Sequence, residues 1–305
     1  MKSLDLSIVI VSYNARQFLA PCLSALQKTI HNISHEVIMV DNNSTDGSVH
    51  YVHTHFPATR VVQNQRNVGF AAANNQGIRV AKGTFILLLN PDTVVTATAV
   101  AKLVDYARNN PRVGILGCRV LNLSGQLQWD SCGHFLTPAT LCFRLMGLEK
   151  IFPRSKIFGR RLLYYWPRNS SRQIDWVSGV CMLIRRQLIE EAGLLDEQFF
   201  AYYEDMDYCR RASTDNYITF FLHDAQIYHV LSTSWREGSE KQLMVSLRSE
   251  KRYLKKYYGS LGVFFFNTLY VYGSSIRLLA HALLMNKRAV KNHFNILTWI
   301  VKHEL

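Results

Sequence analysis

The stretch Gly83–Thr93, GTFILLLNPDT, decides the fold that the sequence predicts. Its five consecutive apolar residues, Phe85–Leu89, are too few for a buried helix and suit a central strand covered on both faces. Pro91, which fixes φ, ends the run in a turn that carries Asp92. Ligands of open α/β sheets bind outside the carboxyl ends of the strands, so Asp92 lies at the expected ligand edge of the sheet. Taken alone, Asp92 is also typical of an ordinary turn.

Strand patterns and helix patterns alternate on both sides of this run. The predicted strands are Leu6–Ser12, Glu36–Val40, Arg60–Gln63, Val113–Val120, a strand that ends at Ile184, Tyr217–Leu222 and Gln226–Val230. The predicted helices are Ala15–Thr29, Asn67–Lys82, Ala97–Asn109, Gln187–Ala192 and Glu204–Ala212. The alternation is typical of a doubly wound α/β domain with a parallel sheet. Between Leu121 and Arg172 the periodicity fades, which indicates an irregular insertion over one side of the site.

The formal net charge of +13 over 305 residues is unevenly distributed. Cys142–Ile174 holds eight Lys/Arg against one acid, and Glu240–Leu305 holds eleven against three, so the remainder carries −2. These two segments are either solvated faces or contacts to an anionic partner, with nucleic acid and anionic lipid as candidates. Six cysteines without a CxxC pair, and a start without a signal-peptide core, favour a reducing cytoplasm.

The last part of the chain combines a basic helix with a longer apolar one. The pattern of Gln242–Tyr258 predicts a helix with lysines and arginines on one face and apolar residues on the other. Gly259 and Gly262 then break this pattern. Val263–Leu284 is long enough to suggest a membrane span. Arg277 near its middle argues against a simple span, because insertion scales put its cost at roughly 2.5–3.5 kcal/mol.

The polar residues of this second helix recur on one narrow stripe. The stripe comprises Asn267, Ser274, Arg277, His281 and Arg288, and the opposite face carries Phe265, Leu269, Tyr272, Ile276, Leu279 and Leu283. A helix with this pattern and nearby basic residues is expected to lie in the interface of an anionic membrane. The alternative is a helix pair packed on the rest of the chain or on a second copy in a homodimer.

Six stretches in a fixed order resemble family 2 inverting glycosyltransferases of the GT-A fold, and rhamnosyltransferase-like members in particular. They are SIVIVSYN (7–14), VDNNSTDGS (40–48), NVGFAAANNQGI (67–78), FILLLNPDT (85–93), FFAYYEDMDYCRR (199–211) and IYHVLSTS (227–234). The resemblance implies an α/β GT-A domain, Rossmann-like with a mostly parallel sheet, over residues 1–239. Its nucleotide-sugar-binding part is 1–110, and its acceptor-binding part is 111–239 with the irregular basic insertion at 121–173. Residues 240–305 form a C-terminal helical, membrane-associating extension.

The resemblance also implies a nucleotide-sugar donor site. The donor-binding residues that it implies are Ser12, Tyr13, Asn14, Asp41, Asn43, Arg66, Asn67, Asn90 and Asp92. Asp41 matches the carboxylate that recognises the base, for which loop capping is an alternative role. Arg66 is a plausible counter-charge for the diphosphate, given the bidentate geometry of guanidinium.

A divalent metal, Mn²⁺ or Mg²⁺, is implied on the donor diphosphate, where it acts as a Lewis acid. Asp92 matches the last acid of the family's DxD motif, and His229 matches its metal-binding histidine. The first acid of that motif is replaced here by Asn90, which leaves one carboxylate and one imidazole. The alternative for His229 is an ordinary packed histidine at a strand end.

The resemblance assigns catalysis to Glu204 and Asp205. Asp205 matches the base that removes the acceptor hydroxyl proton while the oxygen attacks C1, and Glu204 is its neighbour or an acceptor contact. Carboxylates at a helix start also have a structural role, which Asp207 can fill.

Trp176, Ser178, Gly179 and Glu204 are implied on the acceptor side. The indole of Trp176 either stacks on a sugar or is buried in the core. The implied acceptor is a polyprenyl-diphosphate-linked or other lipid-linked saccharide, and the implied donor is dTDP-rhamnose. The expected setting is surface polysaccharide or lipopolysaccharide synthesis by a peripheral protein at the cytoplasmic face of the bacterial inner membrane.

Two other classes of function stay open on the sequence. Asn90 makes a non-catalytic nucleotide-sugar-binding or scaffolding subunit conceivable. The net charge suggests a nucleic-acid-binding protein, which is disfavoured because the positive charge is absent from the ligand edge and no recognition motif occurs.

Overall fold

The computed structural model describes residues 4–214, 216–230, 240–283, 285 and 287–302, without the side chains of residues 280, 281, 287, 288 and 301. The chain divides into two units. Unit 1 is Met1–Phe135 with Trp166–Ser234, and unit 2 is Leu136–Tyr165 with Trp235–Leu305. Unit 2 therefore joins part of the predicted insertion to the C-terminal helices. Leu231–Ser234, the end of the last of the six stretches, lies outside the described residues.

The secondary-structure elements are numbered in chain order. The strands are β1 Leu6–Ser12, β2 His35–Asp41, β3 Arg60–Gln63, β4 Phe85–Leu89, β5 Thr93–Val95, β6 Val113–Leu121, β7 Cys132–Gly133, β8 Arg172–Ile174, β9 Trp176–Val177, β10 Cys181–Arg185 and β11 Ile218–His229. The helices are α1 Arg16–Thr29, α2 Ser48–His55, α3 Phe70–Val80, α4 Ala99–Asn109, α5 Pro138–Leu145, α6 Leu148–Ile151, α7 Arg186–Ala192, α8 Glu204–Thr214, α9 Glu240–Leu283 and α10 Lys287–Lys302.

Unit 1 is built on one mixed sheet in the order β3-β2-β1-β4-β10-β6-β11-β5, with β8 beside β11. Strands β3, β2, β1 and β4 are parallel, and β6 and β11 are parallel to each other. Strand β10 runs antiparallel between β4 and β6. Every residue of β1 and β4 is buried, as expected of strands covered on both faces. The predicted α/β fold with a mostly parallel sheet is confirmed.

Several elements differ from the prediction. Strand β11 is continuous where two strands were predicted, because the residues between Leu222 and Gln226 form a register shift against β6 rather than a turn. Helix α2 and strand β5 were not predicted. Helix α2 buries only Ser48 and Val52, so it has little apolar periodicity, and β5 is three residues long.

The predicted irregular insertion contains two short helices, α5 and α6. Thr137 caps α5 by accepting a hydrogen bond from the backbone N–H of Thr140, and Pro138 occupies the first helical position. Proline is favoured there because its missing N–H has no helical partner to lose. Pro138 thus marks a helix start, although in the sequence it suggested an irregular segment.

In unit 2 the predicted break of the C-terminal helices lies at Gly259, where α9 bends with φ 58° and ψ −146°. The second predicted break is wrong, because Gly262 lies within α9. Among the residues that the structure describes, no helix has the length and hydropathy required to cross a bilayer.

The second half of α9 turns its polar stripe inward. Ser274 is 3% exposed, and the Arg277 guanidinium donates to the Leu145 carbonyl at 2.6 Å. The opposite side of the helix is an exposed apolar stripe, defined as Leu261, Phe264, Phe265, Val271, Tyr272, Ile276, Leu279 and Leu283. The side chains of His281 and Arg288, and residue Leu284, lie outside the description. The solvent-exposed face of this half of α9 is therefore apolar.

Candidate active site

The ligand edge of unit 1 brings together residues that are distant in sequence. Because β1, β2, β4 and β11 run in the same direction, their carboxyl ends meet at this edge. The register pairs Ser12 with Asp41 and His229 with Thr93. The antiparallel β10 begins at the same edge, since Cys181 pairs with Leu89.

Asp92 and His229 form a buried pair at this edge. The Asp92 Oδ1 atom is 3.2 Å from His229 Nε2, and the two side chains are 3% and 8% exposed. The Asn90 amide nitrogen is 3.5 Å from the same ring nitrogen. The backbone N–H of Val230 donates to the Asp92 carbonyl at 2.9 Å, which ties the β4–β5 turn to the end of β11.

The donor set of this pair fits a divalent cation. It offers one carboxylate oxygen and one imidazole nitrogen, a combination that suits Mn²⁺ and, less well, Mg²⁺. Within the described parts of the chain, no three His, Cys, Asp or Glu side chains gather where they could hold a metal ion. A cation between Asp92 and His229 would have room for further ligands, such as the oxygens of a bound molecule or water.

Asp41 ends β2 with one carboxylate oxygen engaged and the other unpaired. Its Oδ2 atom accepts the Ser44 backbone N–H at 2.9 Å, which is the capping role considered for it. Its Oδ1 atom is buried and has no hydrogen-bond partner among the described residues, and the same holds for Ser12 Oγ beside it. An unpaired buried acceptor costs roughly 1–3 kcal/mol, which a ligand N–H would recover.

Hydrogen bonds join the loop after β1 to the loop after β2. The Asn14 N–H donates to Ser44 Oγ at 2.9 Å, and the Asn14 side-chain oxygen accepts from the Thr45 N–H at 2.8 Å. Asn14 and Asn43 both have positive φ, at 50° and 66°. Tyr13 is half-buried beside them and Asn43 is exposed.

The loop before α3 contacts the segment that leads into α8. Asn67 accepts the Gly69 N–H on its side-chain oxygen at 2.9 Å, so its amide shapes the loop, while Arg66 is exposed. The Phe70 N–H donates to the Phe200 carbonyl at 2.6 Å. This bond fixes the loop before α3 against the segment that leads into α8.

Glu204 and Asp205 open α8 directly after a strained backbone. Tyr202 and Tyr203 both have positive φ, 68° and 67°, which costs a bulky residue of the order of 1–3 kcal/mol. The Asp205 Oδ2 atom accepts the Gly179 N–H at 3.1 Å, and its Oδ1 atom accepts the Met206 N–H at 2.7 Å. Strain and hydrogen bonds together set the direction of the Asp205 carboxylate.

Asp207 has a structural role in the same helix. Its side chain is fully buried and pairs with Arg211 at 3.1 Å, one turn further along α8. Asp207 therefore has a structural role through this ion pair, whereas the capping role considered for it stays a prediction.

The two carboxyl groups at the start of α8 both have raised pKa values. Burial is the main cause for Asp205, the nearby charge of Asp130 adds to it, the N–H donors of Gly179 and Met206 oppose both effects, and the resulting pKa is about 6. Burial, with the neighbouring charges of Asp205 and Asp207, raises the pKa of Glu204 well above its ordinary range. Asp205 is therefore ionised near neutral pH, and burial favours the protonated form of Glu204.

A short chain of contacts connects the Asp92–His229 pair to Asp205. The backbone N–H of Asn90 donates to the Val180 carbonyl at 3.0 Å, and Val180 follows Gly179, whose N–H binds Asp205. Hydrogen bonds thus connect the predicted base, through Gly179 and Val180, to the turn that carries Asp92.

Trp176 and Ser178 are both hydrogen-bonded to the segment 131–134. The Trp176 indole is 6% exposed and donates its N–H to the His134 carbonyl at 3.1 Å, as a packed tryptophan does. The Ser178 N–H donates to the Ser131 carbonyl at 2.8 Å. Contact of either side chain with an acceptor stays a prediction.

Three residues near the site were not predicted from the sequence: Gln128, Asp130 and Arg168. Gln128 contacts His229, and Asp130 is close enough to Asp205 to raise its pKa. The fully buried Arg168 donates to the carbonyl oxygens of Gln128 and Trp129, at 2.8 and 2.6 Å, and so holds their segment. All three lie where periodicity fades, and no local pattern distinguishes them.

The model of a family described as glycosyl transferase family 2 matches residues 7–193. The low-salt glycan biosynthesis hexosyltransferase Agl10 of Haloferax volcanii is 27% identical over 224 residues, which cover 70% of this chain and 62% of that protein. The N-acetylglucosaminyl-diphospho-decaprenol L-rhamnosyltransferase of Mycobacterium tuberculosis is 25% identical over 252 residues, or 73% of this chain and 75% of the relative. The chain thus aligns with less than two thirds of the first of these proteins.

Two solved structures share the GT-A fold of this chain. GalNAc-T7, solved with UDP, GalNAc and Mn²⁺, superposes with a TM-score of 0.61 at 17% identity, covering 99% of this chain and 56% of that one. The mannosyltransferase PcManGT of Pyrobaculum calidifontis, solved with GDP-Man and Mn²⁺, gives 0.57 at 14% identity, covering 97% and 86%.

Proposed function

The chain belongs to glycosyl transferase family 2, and from that premise we propose that it transfers a sugar, with inversion, from a nucleoside diphosphate to a lipid-linked saccharide. The observation that carries the proposal is the convergence of three features at the ligand edge. These are the Asp92–His229 pair, the unpaired oxygen of Asp41 and the Asp205 carboxylate. We take dTDP-rhamnose as the donor, which the similarity to a rhamnosyltransferase supports.

The donor's base is assigned to Asp41. Its unpaired Oδ1 atom suits the N3–H of thymine or uracil, because an ionised carboxylate only accepts hydrogen bonds. Ser12, Tyr13, Asn14 and Asn43 complete this end of the donor site, and Arg66, Asn67 and Asn90 its diphosphate end.

Asp92 and His229 would hold Mn²⁺ or Mg²⁺ against the donor diphosphate. A cation bound there would neutralise the negative charge that develops on the leaving diphosphate. The presence of Mn²⁺ in two structures of the same fold supports this assignment.

Asp205 is the proposed general base. It accepts the proton of the acceptor hydroxyl while the hydroxyl oxygen forms its bond to C1 and the bond from C1 to the diphosphate breaks. The Gly179 and Met206 N–H groups orient the carboxylate for this transfer. The raised pKa of Glu204 favours its protonated form, which can donate to an acceptor oxygen, and the segment Trp176–Gly179 forms the acceptor side.

The proposed acceptor is carried on a polyprenyl diphosphate, as the name of the mycobacterial relative states for that protein. Unit 2 supplies the support for a membrane-bound acceptor. Of the sixteen large apolar side chains that are exposed among the described residues, fourteen belong to unit 2 and only Leu123 and Phe200 to unit 1.

Charge follows the same division. Unit 2 contains eighteen Lys/Arg against five Asp/Glu, a net +13, whereas unit 1 contains seventeen of each and is neutral. An apolar face on a basic unit suits an anionic membrane surface. We therefore infer a peripheral protein at the cytoplasmic face of the bacterial inner membrane, with a homodimer formed through the exposed apolar stripe as the alternative.

A non-catalytic nucleotide-sugar-binding subunit is the second candidate function. It is favoured by Asn90 in place of an acid and by the small number of metal-binding side chains in the part of the chain that the structure describes. The two candidates share the donor site and differ only in turnover.

A thermal-shift panel of nucleotide sugars, with and without Mn²⁺, tests the proposed function. The true donor raises the melting temperature most, since a ligand at a hundred times its Kd stabilises by about 2.7 kcal/mol. We expect the largest shift from dTDP-rhamnose with Mn²⁺, followed by release of dTDP when a lipid-linked acceptor is added. A flat panel contradicts both candidates, and a shift without turnover favours the non-catalytic one.

A further inference from the structure

Gln128 makes both of its side-chain hydrogen bonds to one residue, His229, which lies 101 positions away in sequence. The Gln128 Nε2 atom donates to the His229 carbonyl oxygen at 2.8 Å. The Gln128 Oε1 atom is 2.7 Å from His229 Nδ1. Gln128 is 7% exposed, so neither bond competes with bulk water.

These two bonds fix the tautomer of the imidazole. A backbone carbonyl carries no hydrogen, so the Gln128 atom that faces it must be the amide nitrogen. The atom that faces Nδ1 is then the amide oxygen, which only accepts. His229 must therefore carry a hydrogen on Nδ1, and in the neutral ring the lone pair lies on Nε2.

That lone pair is directed at the Asp92 carboxylate, whose Oδ1 atom is 3.2 Å from Nε2. Metal ligation requires a neutral imidazole and an ionised carboxylate. In that state the Nε2 lone pair and the carboxylate oxygens are both electron-pair donors, and a cation can bind between them. An amide partner for Nδ1 also orients the ring without adding a second negative charge.

Gln128 is itself held firmly. Its backbone N–H donates to the Val120 carbonyl on β6 at 3.0 Å, and its own carbonyl accepts from Arg168 at 2.8 Å and from Ser131 Oγ at 2.8 Å. A side chain anchored on both sides of its Cα has little freedom to release the ring.

We propose that Gln128 is a positioning residue that locks His229 as the Nδ1–H tautomer and presents Nε2 with Asp92 to a divalent cation. The proposal rests on the proposed function insofar as it assumes a cation at that pair. Partners of this kind, when removed from metal-binding histidines, typically cost 10- to 100-fold in metal affinity. The competing explanation is that Gln128 merely ties its segment to β11.

The first test reads the tautomer directly in full-length, metal-free protein labelled with ¹⁵N-histidine. Two-bond ¹⁵N–¹H spectra distinguish the two tautomers, and the His229→Gln variant identifies the signals of His229. We expect the Nδ1–H form in the wild type and a mixture in Gln128→Met. Gln128→Glu keeps an acceptor toward Nδ1 but loses the bond to the backbone carbonyl, so it should retain the Nδ1–H form.

The second test measures Mn²⁺ affinity by electron paramagnetic resonance in the presence of saturating dTDP. We expect Gln128→Met to bind Mn²⁺ 10- to 100-fold more weakly and Gln128→Glu to stay within a few-fold of the wild type. Gln126→Leu, an exposed residue of the same segment, is the matched control and should change neither measurement.

The possible results separate the two levels of inference. An unchanged tautomer, or an affinity within twofold, in folded Gln128→Met overturns the role of Gln128 alone. If Gln128→Glu loses as much Mn²⁺ affinity as Gln128→Met, Gln128 only ties its segment to β11. That result also overturns the proposed positioning role. If the wild type shows the Nδ1–H form but does not bind Mn²⁺ even with dTDP, the metal dependence in the proposed function is wrong. The proposed role of Gln128 in metal binding is then wrong as well, although its effect on the tautomer stands.

Discussion

Opposing influences meet at the Asp205 carboxyl group. Burial and the charge of Asp130 favour the protonated form, while two backbone N–H groups favour the ionised form, and the resulting pKa is about 6. A general base works best when its pKa lies near the operating pH, since it must be ionised and yet basic enough to accept a proton. Asp130, Glu204 and Cys209 interact electrostatically with Asp205.

A pH–rate profile tests this environment. Because the base must be ionised, kcat/KM should be constant at neutral pH and fall tenfold per pH unit below about pH 6. Asp130→Asn removes a negative charge that raises this pKa, so the midpoint should move to lower pH. Asp205→Asn should lower kcat by roughly 10²- to 10⁴-fold while nucleotide affinity is kept.

Asp105→Asn is the matched control for that profile, because Asp105 is exposed on α4 and pairs only weakly with Arg108, at 3.6 Å. Its midpoint should equal that of the wild type. A midpoint that stays in place in Asp130→Asn would remove Asp130 from the environment of the base, and full activity in Asp205→Asn would remove Asp205 from catalysis.

At the scale of elements, Gly69 joins the start of α3 to the segment before α8. Its φ is +91°, and a Cβ atom there would lie 2.5 Å from the Phe200 carbonyl oxygen. That oxygen also accepts the Phe70 N–H. A side chain at position 69 must therefore push away the segment that carries Glu204 and Asp205.

Gly69→Ala should reduce both stability and turnover. The backbone conformation alone, φ 91° and ψ 174°, costs a non-glycine residue of the order of 1–3 kcal/mol, and the clash with a backbone atom adds to it. Gly125→Ala is the control, because Gly125 has φ +80° but no described atom within 4 Å of the place that a Cβ would occupy, so only the conformational cost applies. Urea unfolding and kcat measure the two effects; equal losses in both variants would show that the Phe200 contact is unimportant.

The sequence predicts elements well where apolar pattern and burial coincide. Strands β1 and β4 have the predicted bounds and are buried throughout. Strand β3 also has the predicted bounds, although its residues are only partly buried or exposed. Helix α2 was not predicted because it buries only two residues, β5 because it is three residues long, and α5 because its proline suggested irregular structure.

The site divides along a similar line. Asp92, His229 and Asp205 were predicted from the family resemblance, and the fold brings Asp92 to within 3.2 Å of His229. Gln128, Asp130 and Arg168 could not be identified, because their contacts depend on how an aperiodic segment folds back on β11 and α8. Hydrogen bonds made across a hundred residues leave no periodic signal in the sequence.

At the scale of the whole molecule, reactive groups and net charge belong to different units. Unit 1 contains the ligand edge and is neutral, and unit 2 carries the entire +13. Charge on a surface is screened within about 8–10 Å at physiological salt. Salt should therefore weaken membrane attachment through unit 2 far more than it weakens nucleotide binding in unit 1.

Vesicle co-sedimentation with the full chain tests that attachment. The wild type should sediment with vesicles that contain anionic phosphatidylglycerol, less with pure phosphatidylcholine, and less again as salt is raised. Phe264, Ile276 and Leu279 are 61%, 49% and 65% exposed, so changing them to serine removes little packing. Each contributes up to about 1.5–3 kcal/mol when buried in lipid, so the triple variant should bind vesicles at least tenfold more weakly.

Leu123→Ser is the matched control, because Leu123 is 67% exposed but belongs to unit 1, and vesicle binding should not change. The melting temperature of the triple variant should stay near that of the wild type, since side chains that are exposed in the folded state contribute little to its stability. The homodimer alternative makes the opposite prediction. If the wild type ignores vesicles and the triple variant converts a dimer into a monomer in light scattering, a second copy of the chain covers the exposed apolar stripe and the membrane assignment is wrong.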